Sequence, residues 1–356
     1  MNSDVPFESQ AETLTSKCLN CGGNMEFDPE TQKLKCQHCL TVVDFEKSSS
    51  VKELDVLTAF NQGEDWKSES SVYRCENCGA VVVLPPSETA TKCPYCETSH
   101  VVKSSEGAGL KPSAVYPFTV TCENALKNAK TWAKSRLFAP RKFKKNLSEE
   151  NFRGVYQPCF TFDSETRSTY YGRIGKRYTR VVGSGKNRRT ETYIVWRNIS
   201  GNLAEFFNDV FINADSGYSK TTLNKIMPYN YSTIKVYSSD YLTGYMARRA
   251  DRKIEDCWAE AKTVIDAKLK SLILSKYVYD VVSYLNVSTS HSNVTYKYVL
   301  LPVYLLNYKY GKKYYNVHIN GNTGKVAGKA PVSPLKVIIT AILGVGLIAL
   351  LAYLLY

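Results

Sequence analysis

Eight of the chain's eleven cysteines fall in four Cys-x-x-Cys pairs, and the pairs come two by two. Cys18-Leu-Asn-Cys21 is followed, after fourteen residues, by Cys36-Gln-His-Cys39. Cys75-Glu-Asn-Cys78 is followed, again after fourteen, by Cys93-Pro-Tyr-Cys96. A two-residue gap lets both thiolates of a pair reach one ion, and two pairs complete a tetrahedral shell. A glycine follows the first pair of each module (Gly22 and Gly79), where the backbone must turn sharply. The chemistry expected is structural zinc, two ions per chain. One is held by Cys18, Cys21, Cys36 and Cys39, the other by Cys75, Cys78, Cys93 and Cys96. An iron–sulfur cluster or a rubredoxin-like iron site uses the same four ligands. A redox Cys-x-x-Cys needs a single pair in a βαβ setting, and disulfides are disfavoured in the reducing compartment argued below.

The two modules align beyond their cysteines. Cys-x-Asn-Cys-Gly opens both, an apolar run and a turn follow, and Lys35 or Lys92 precedes each second pair. This is an internal duplication, and the spacer suits a hairpin of two short strands. Each module is too small for a core of its own, so metal supplies much of its folding energy. His38, inside Cys36-Gln-His-Cys39, reads as a solvated residue because four thiolates already fill the shell. His100, His291 and His318 stand singly, and Cys122, Cys159 and Cys257 read as ordinary buried residues.

The chain closes on twenty residues without a charge, Val337 to Tyr356. A helix of that length is about 30 Å long, one bilayer core. Lys325, Lys329 and Lys336 precede it and no Lys or Arg lies within it. The positive-inside rule then predicts a single-pass cell-membrane protein with its N-terminal bulk cytoplasmic and its C-terminus outward. The polar, acidic start is read as lacking a signal peptide. The sequons at Asn146, Asn198, Asn230, Asn286 and Asn293 are read as chance matches in that topology.

The net charge of +13 is divided unevenly. Residues 1–110 hold 9 Lys/Arg and 17 Asp/Glu, a net of −8, whereas residues 111–336 hold 37 and 16, a net of +21. A basic domain beside a membrane can face anionic lipid, nucleic acid or an acidic partner, and the acidic part would be repelled by the first two. The basic part carries most of the 26 tyrosines. Its pattern predicts strands over 115–120, 156–162, 168–182, 190–206, 277–287, 294–310 and 313–320. Helices are expected over 122–137 and within 240–274, the latter with an apolar stripe of Ile254, Trp258, Ala261, Ile265, Leu269 and Leu272. Gly183-Ser-Gly185 reads as a hairpin turn. The fold class expected is α+β: two small β zinc ribbons, a tyrosine-rich antiparallel α+β domain and one C-terminal transmembrane helix.

The boundaries that follow are a disordered 1–16, ribbon 17–47, linker 48–71, ribbon 72–103, linker 104–111, basic domain 112–335 and transmembrane helix 337–356. Two basic stretches are candidate anion-binding surfaces. The first holds Lys134, Arg136, Arg141, Lys142, Lys144 and Lys145. The second, around the predicted hairpin tip, holds Arg173, Lys176, Arg177, Arg180, Lys186, Arg188 and Arg189 with Tyr170, Tyr171 and Tyr178 interleaved. A solvated sheet face is the competing reading. Gly183-Ser-Gly-Lys186 fails as a phosphate loop, because Arg180 stands where a glycine is required and Asn187 where Ser/Thr is required. With no His-Glu-x-x-His and no Gly-x-Ser-x-Gly either, no enzyme activity is expected.

The paired Cys-x-Asn-Cys-Gly … Lys-Cys-x-x-Cys modules resemble zinc ribbons of the TFIIB type. Together with the tyrosine-rich domain, Leu300-Leu-Pro-Val-Tyr304, Gly321-Asn-Thr-Gly-Lys325 and the final span, the chain resembles a family of membrane-anchored zinc ribbon-containing proteins found largely in Gram-positive bacteria. The resemblance implies the eight metal ligands and nothing catalytic. Relatives are sometimes labelled replisome proteins, and one belongs to a phage-shock-type membrane-stress system where it helps recruit peripheral proteins. By analogy this implies a membrane-anchored adaptor or scaffold with a protein partner; the charge of the basic domain adds anionic lipid as a further expected partner. The alternative is a membrane-attached nucleic-acid-binding protein of replication or transcription, which the acidic ribbon half disfavours.

Overall fold

The computed structural model describes residues 17–48, 50–56, 71–77, 79–84, 93, 101–103, 110–145, 147, 152–310 and 313–355. A three-stranded antiparallel sheet is formed by β1 (Met25–Asp28), β2 (Lys33–Cys36) and β3 (Val42–Val43), in that order. The remaining strands join one large sheet. Short ones are β4 (Leu54–Asp55), β5 (Ser71–Cys75), β6 (Val81–Leu84), β7 (Val101–Lys103), β8 (Ala114–Val115), β11 (Lys235–Val236), β12 (Met246–Arg248) and β15 (Val326–Gly328). Long ones are β9 (Phe152–Val182), β10 (Arg189–Asn213) and β13 (Val281–Tyr310), with β14 (Lys313–Asn320) after them. Helices are α1 (Cys122–Lys134), α2 (Arg141–Lys145), α3 (Lys220–Ile226), α4 (Ile254–Ser275) and α5 (Pro334–Leu355). The fold is mixed α+β and mostly sheet, with a tyrosine-rich core and one apolar C-terminal helix.

The centre of the large sheet is β9, flanked by β10 on one side and β13 on the other, all antiparallel. Past Gly175 the β13 partner ends, and β9 and β10 run on as a two-stranded ribbon to the turn that holds Gly183 and Gly185. Burial alternates along the long arm that β9, β10 and β13 form before this ribbon: Thr166, Ser168 and Tyr170 are buried while Arg167, Thr169 and Tyr171 are exposed. One face is therefore covered and the other meets water. The cover is α4, which buries Cys257, Ala261, Ile265, Leu269 and Ile273, one residue per turn. The expected stripe is displaced by one position at its end, since Ile273 is buried and Leu272 is exposed.

Two pairs of expected strands prove to be single strands. The segments 156–162 and 168–182 are parts of β9, and 277–287 and 294–310 merge into β13. Polar residues at the first of these junctions, Ser164, Thr166 and Ser168, are buried and partnered across the sheet. The Ser164 hydroxyl lies 3.1 Å from His291 Nδ1, the Ser168 hydroxyl 3.0 Å from that of Thr289, and the Thr166 hydroxyl donates to the Glu205 carbonyl at 2.8 Å. Lys297, also buried, reaches Asp209 at 2.9 Å, Glu53 at 3.0 Å and Asp163 at 3.3 Å. The expected strand over 115–120 is confined to Ala114–Val115.

The N-terminal segments are woven into this sheet. β4 pairs with β13, and Val56 behind it is buried. The second cysteine module joins through β6, which pairs with β12, itself paired with β9. The three-stranded sheet stacks on the 3-10 turn at Ser239–Leu242: Phe27, Phe45 and Tyr241 form an edge-to-face trio with centroids 5.0 to 6.2 Å apart. The Phe27 N–H donates to the Thr243 carbonyl at 3.0 Å, and Gln32 Nε2 to that of Phe118 at 2.7 Å. Cys18, Met25, Phe27, Leu34 and Cys36 share one hydrophobic cluster with the central domain.

Candidate metal centre

The three-stranded sheet places four sulfurs at one point. The Sγ atoms of Cys18, Cys21, Cys36 and Cys39 all lie within 4.8 Å of one another. Cys18 and Cys39 are 3.5 Å apart, as are Cys21 and Cys36. Four thiolates at about 2.3 Å from a zinc ion sit roughly 3.8 Å from one another, so the donor set and its spacing fit tetrahedral zinc.

The backbone explains why the sulfurs converge. In the first pair the Gly22 N–H donates to the Cys18 carbonyl at 2.7 Å and the Cys18 N–H to the Gly23 carbonyl at 2.8 Å. In the second pair the Leu40 N–H donates to the Cys36 carbonyl at 3.1 Å and the Cys36 N–H to the Thr41 carbonyl at 2.8 Å. The two knuckles thus repeat one conformation. Gly23 permits close approach: a Cβ there would lie 3.3 Å from both Cys21 Sγ and Cys36 Sγ.

Second-sphere groups tune the thiols. Four thiols this close cannot all ionise without a cation. The Gly23 N–H draws Cys21 down, but its bonds to Cys39 and Cys36 prevail and push it up to about 12. Hydrogen bonds from the Thr41 hydroxyl, 3.1 Å from the sulfur, and from its N–H bring Cys39 down to about 5. The Cys39 N–H and then the His38 N–H, 3.4 Å from the sulfur, lower Cys36. Asn20 Nδ2 donates to Cys39 Sγ at 3.8 Å. Thr41 lies outside the cysteine pattern, whereas Asn20 is the Asn of the Cys-x-Asn-Cys-Gly motif. The imidazole of His38 is exposed, as expected of a residue outside the shell.

In the second module Cys75 and Cys93 are buried together with Ala80. Its first knuckle copies that of the first module. The Gly79 N–H donates to the Cys75 carbonyl and the Cys75 N–H to the Ala80 carbonyl, both at 2.9 Å, and Gly79 is left-handed like Gly22. Cys78 and Cys96 lie outside the described residues, as do His100 and the expected disordered N-terminus. Of the other cysteines, Cys159 and Cys257 are buried. Burial holds the Cys159 thiol well above its ordinary range and pushes Cys257 up to about 11, so both behave as apolar packing groups.

The two basic stretches stand apart. Arg141, Lys142, Lys144 and Lys145 form α2, whose Phe143 packs on Tyr308 at 5.0 Å, close to the start of β9. Arg173, Lys176, Arg177, Arg180, Arg188 and Arg189 lie toward the other end of β9, up to roughly 100 Å further at 3.3 Å per residue. Lys186 sits in the turn, its side chain outside the described ones. Around this tip Tyr178 and Tyr193 stack at 5.9 Å, with Lys176 over the first ring and Arg180 over the second. Glu191, on the facing strand, pairs with Arg180 at 3.2 Å and Arg189 at 3.0 Å, so the tip is less purely cationic than its first strand alone suggests.

At the other extreme of the chain, α5 carries no charge after Lys336, and its membrane-length window Pro334–Leu354 has a mean hydropathy of 2.7 and no buried residue. It is long and apolar enough to cross a membrane.

No family model matches the chain, and no solved structure matches it. The chain is similar to a protein of Bacillus subtilis (strain 168), the uncharacterized protein YdjG, with 29% identity over 327 residues that cover 91% of this chain and 92% of that one.

Proposed function

We propose that this protein is a membrane-tethered adaptor of the TFIIB-type zinc ribbon class, serving as a scaffold in membrane-stress response. In this reading α5 lies in the bilayer, the ribbons are cytoplasmic protein-docking modules, and each ribbon holds one zinc ion. The observation that carries the reading is the pairing of an apolar helix with no buried residue in its membrane-length window and a four-thiol site. A helix with no buried residue in its membrane-length window and no charge after Lys336 is unstable in water but matched to lipid. The ribbon outside it shows Leu19 and Leu40, 79% and 64% exposed, beside the site, which suits a partner better than it suits solvent. The test is capture of binding partners by full-length protein from native membranes, compared with the Cys18→Ser and Cys75→Ser variants. An adaptor loses specific partners with its ribbons; partner sets unchanged in both variants would sink the reading.

A second reading, a membrane-attached nucleic-acid-binding protein, draws on the arm tip, where arginine and lysine overlie stacked tyrosines. Filter binding by the full-length protein in detergent, across a salt series, separates the two. Steeply salt-dependent DNA binding below micromolar favours the second.

A further inference from the structure

The segment joining α1 to α2 lies against the start of α5. Lys336 Nζ donates to the carbonyls of Ala139 at 2.7 Å and Leu137 at 3.3 Å, and the Ser333 N–H donates to the Phe138 carbonyl at 2.9 Å. These bonds fix the segment beside the first turn of the apolar helix. Its apolar side chains are turned outward: Leu137 is 78% exposed and Phe138 38%, next to Val332 at 58% and Leu335 at 67%. A cleft of about 340 Å³ opens between Arg136–Phe138 and Ala330–Val332.

Positive charge surrounds this apolar tip. Residues 134–145 carry Lys134, Arg136, Arg141, Lys142, Lys144 and Lys145 with no acid among them. Tertiary contacts hold the set together. Lys144 Nζ donates to the Lys134 carbonyl at 3.0 Å, and the Arg136 guanidinium lies over the Trp132 ring at 4.8 Å. Arg136, Arg141, Lys142 and Lys145 are exposed. Two exposed apolar side chains inside a ring of cations make the pattern of a surface that sits at a lipid headgroup boundary.

We propose that residues 134–145 form an interfacial collar around the foot of α5. Leu137 and Phe138 enter the acyl-chain boundary, and the surrounding Arg and Lys side chains hold anionic phospholipid headgroups, one of them at the mouth of the Arg136–Val332 cleft. The occupant is set by continuity with the span, since a segment bonded to Lys336 cannot be far from the leaflet that α5 enters. The collar rests on the reading that α5 spans the bilayer. It adds a specific lipid class and a specific contact to that reading, and it fixes the central domain against the leaflet.

The test uses full-length protein in nanodiscs of phosphatidylcholine alone or mixed with phosphatidylglycerol. Photoreactive benzoylphenylalanine replaces Leu137 in one sample and Val278, 73% exposed in the turn between α4 and β13, in another. Position 137 is expected to form about fivefold more lipid adducts in the anionic discs, and position 278 none. Arg136→Gln, Arg141→Gln, Lys142→Gln and Lys145→Gln together should bring the anionic value down to the phosphatidylcholine value. The lipid comparison stands without the charge variant, should that variant fold poorly. Adducts at 137 no more frequent than at 278, or equal in both lipids, overturn the collar. Extraction of the full-length protein from membranes by alkali would instead overturn the span.

Discussion

Gly22 and Leu40 occupy the same position in the two halves of the four-cysteine cluster. Each follows a Cys-x-x-Cys pair, each bonds back to the carbonyl of that pair's first cysteine, and each is left-handed, with φ of 69° and 61°. Glycine takes this conformation freely, whereas a leucine is strained by about 1–2 kcal/mol. Leu40→Gly is therefore expected to stabilise the ribbon by up to about 1 kcal/mol, and Gly22→Ala to weaken it by a similar amount. A Cβ at Gly22 would meet nothing within 4 Å, so the second effect is purely conformational. Zinc transfer to a competing chelator reads both. Equal loss in the two variants would show that the knuckles are not equivalent.

Metal content is the second prediction. The purified protein is expected to carry two zinc ions per chain. Cys18→Ser should remove one and leave the other, and Cys75→Ser should do the reverse, because a three-thiol remnant holds zinc far more weakly. Elemental analysis gives the count. One ion in the unaltered chain, or visible absorbance from iron, rejects the duplicated-site reading.

Tyr241 tests how the first ribbon is held. It is buried between Phe27 and Phe45. Tyr241→Ala removes both ring contacts and should cost about 3–5 kcal/mol. The loss should fall at the ribbon's seat: amide exchange in β1 and at Thr243 is expected to speed up, while the arm beneath α4 is unchanged. Uniform acceleration across the arm would mean that Tyr241 supports the whole domain instead.

His318 sets a pH dependence. It lies beneath Tyr218, whose hydroxyl is 3.0 Å from His318 Nδ1, and burial lowers its pKa to about 4. The folded chain thus binds this proton less readily than the unfolded chain, whose histidine titrates near its ordinary 6.5. Stability from this group is complete above about pH 6.5 and falls as the pH drops toward 4. The expected loss by pH 4 is about 3 kcal/mol, set by the gap between the ordinary 6.5 and about 4. Thermal midpoints in detergent between pH 7 and pH 4 should show it, and His318→Gln should flatten the slope. An equal slope in both proteins would assign the acid sensitivity elsewhere.

Two features were legible in the sequence because each is written in consecutive residues. The spacing of Cys18, Cys21, Cys36 and Cys39 already determines a four-thiol site, since sulfur reach depends on a two-residue gap and a hairpin. The charge-free run from Val337 determines a membrane-length helix by composition alone. The helices over 122–134 and 254–275 and the hairpin at Gly183 were equally local, set by periodicity and by glycine. Partnership was not. Asp163, Ser164 and Thr166 fall between the expected strands because their polarity is a property of the residue, whereas their satisfaction belongs to Lys297, His291 and Glu205, more than thirty positions away. Glu191 lies across the sheet from Arg180, and Lys336 reaches a loop 197 residues earlier, for the same reason. The chain's local chemistry chose the four-thiol cluster and the apolar helix; only tertiary packing decided that the first ribbon is seated on Tyr241 and that the loop between α1 and α2 lies against the foot of α5.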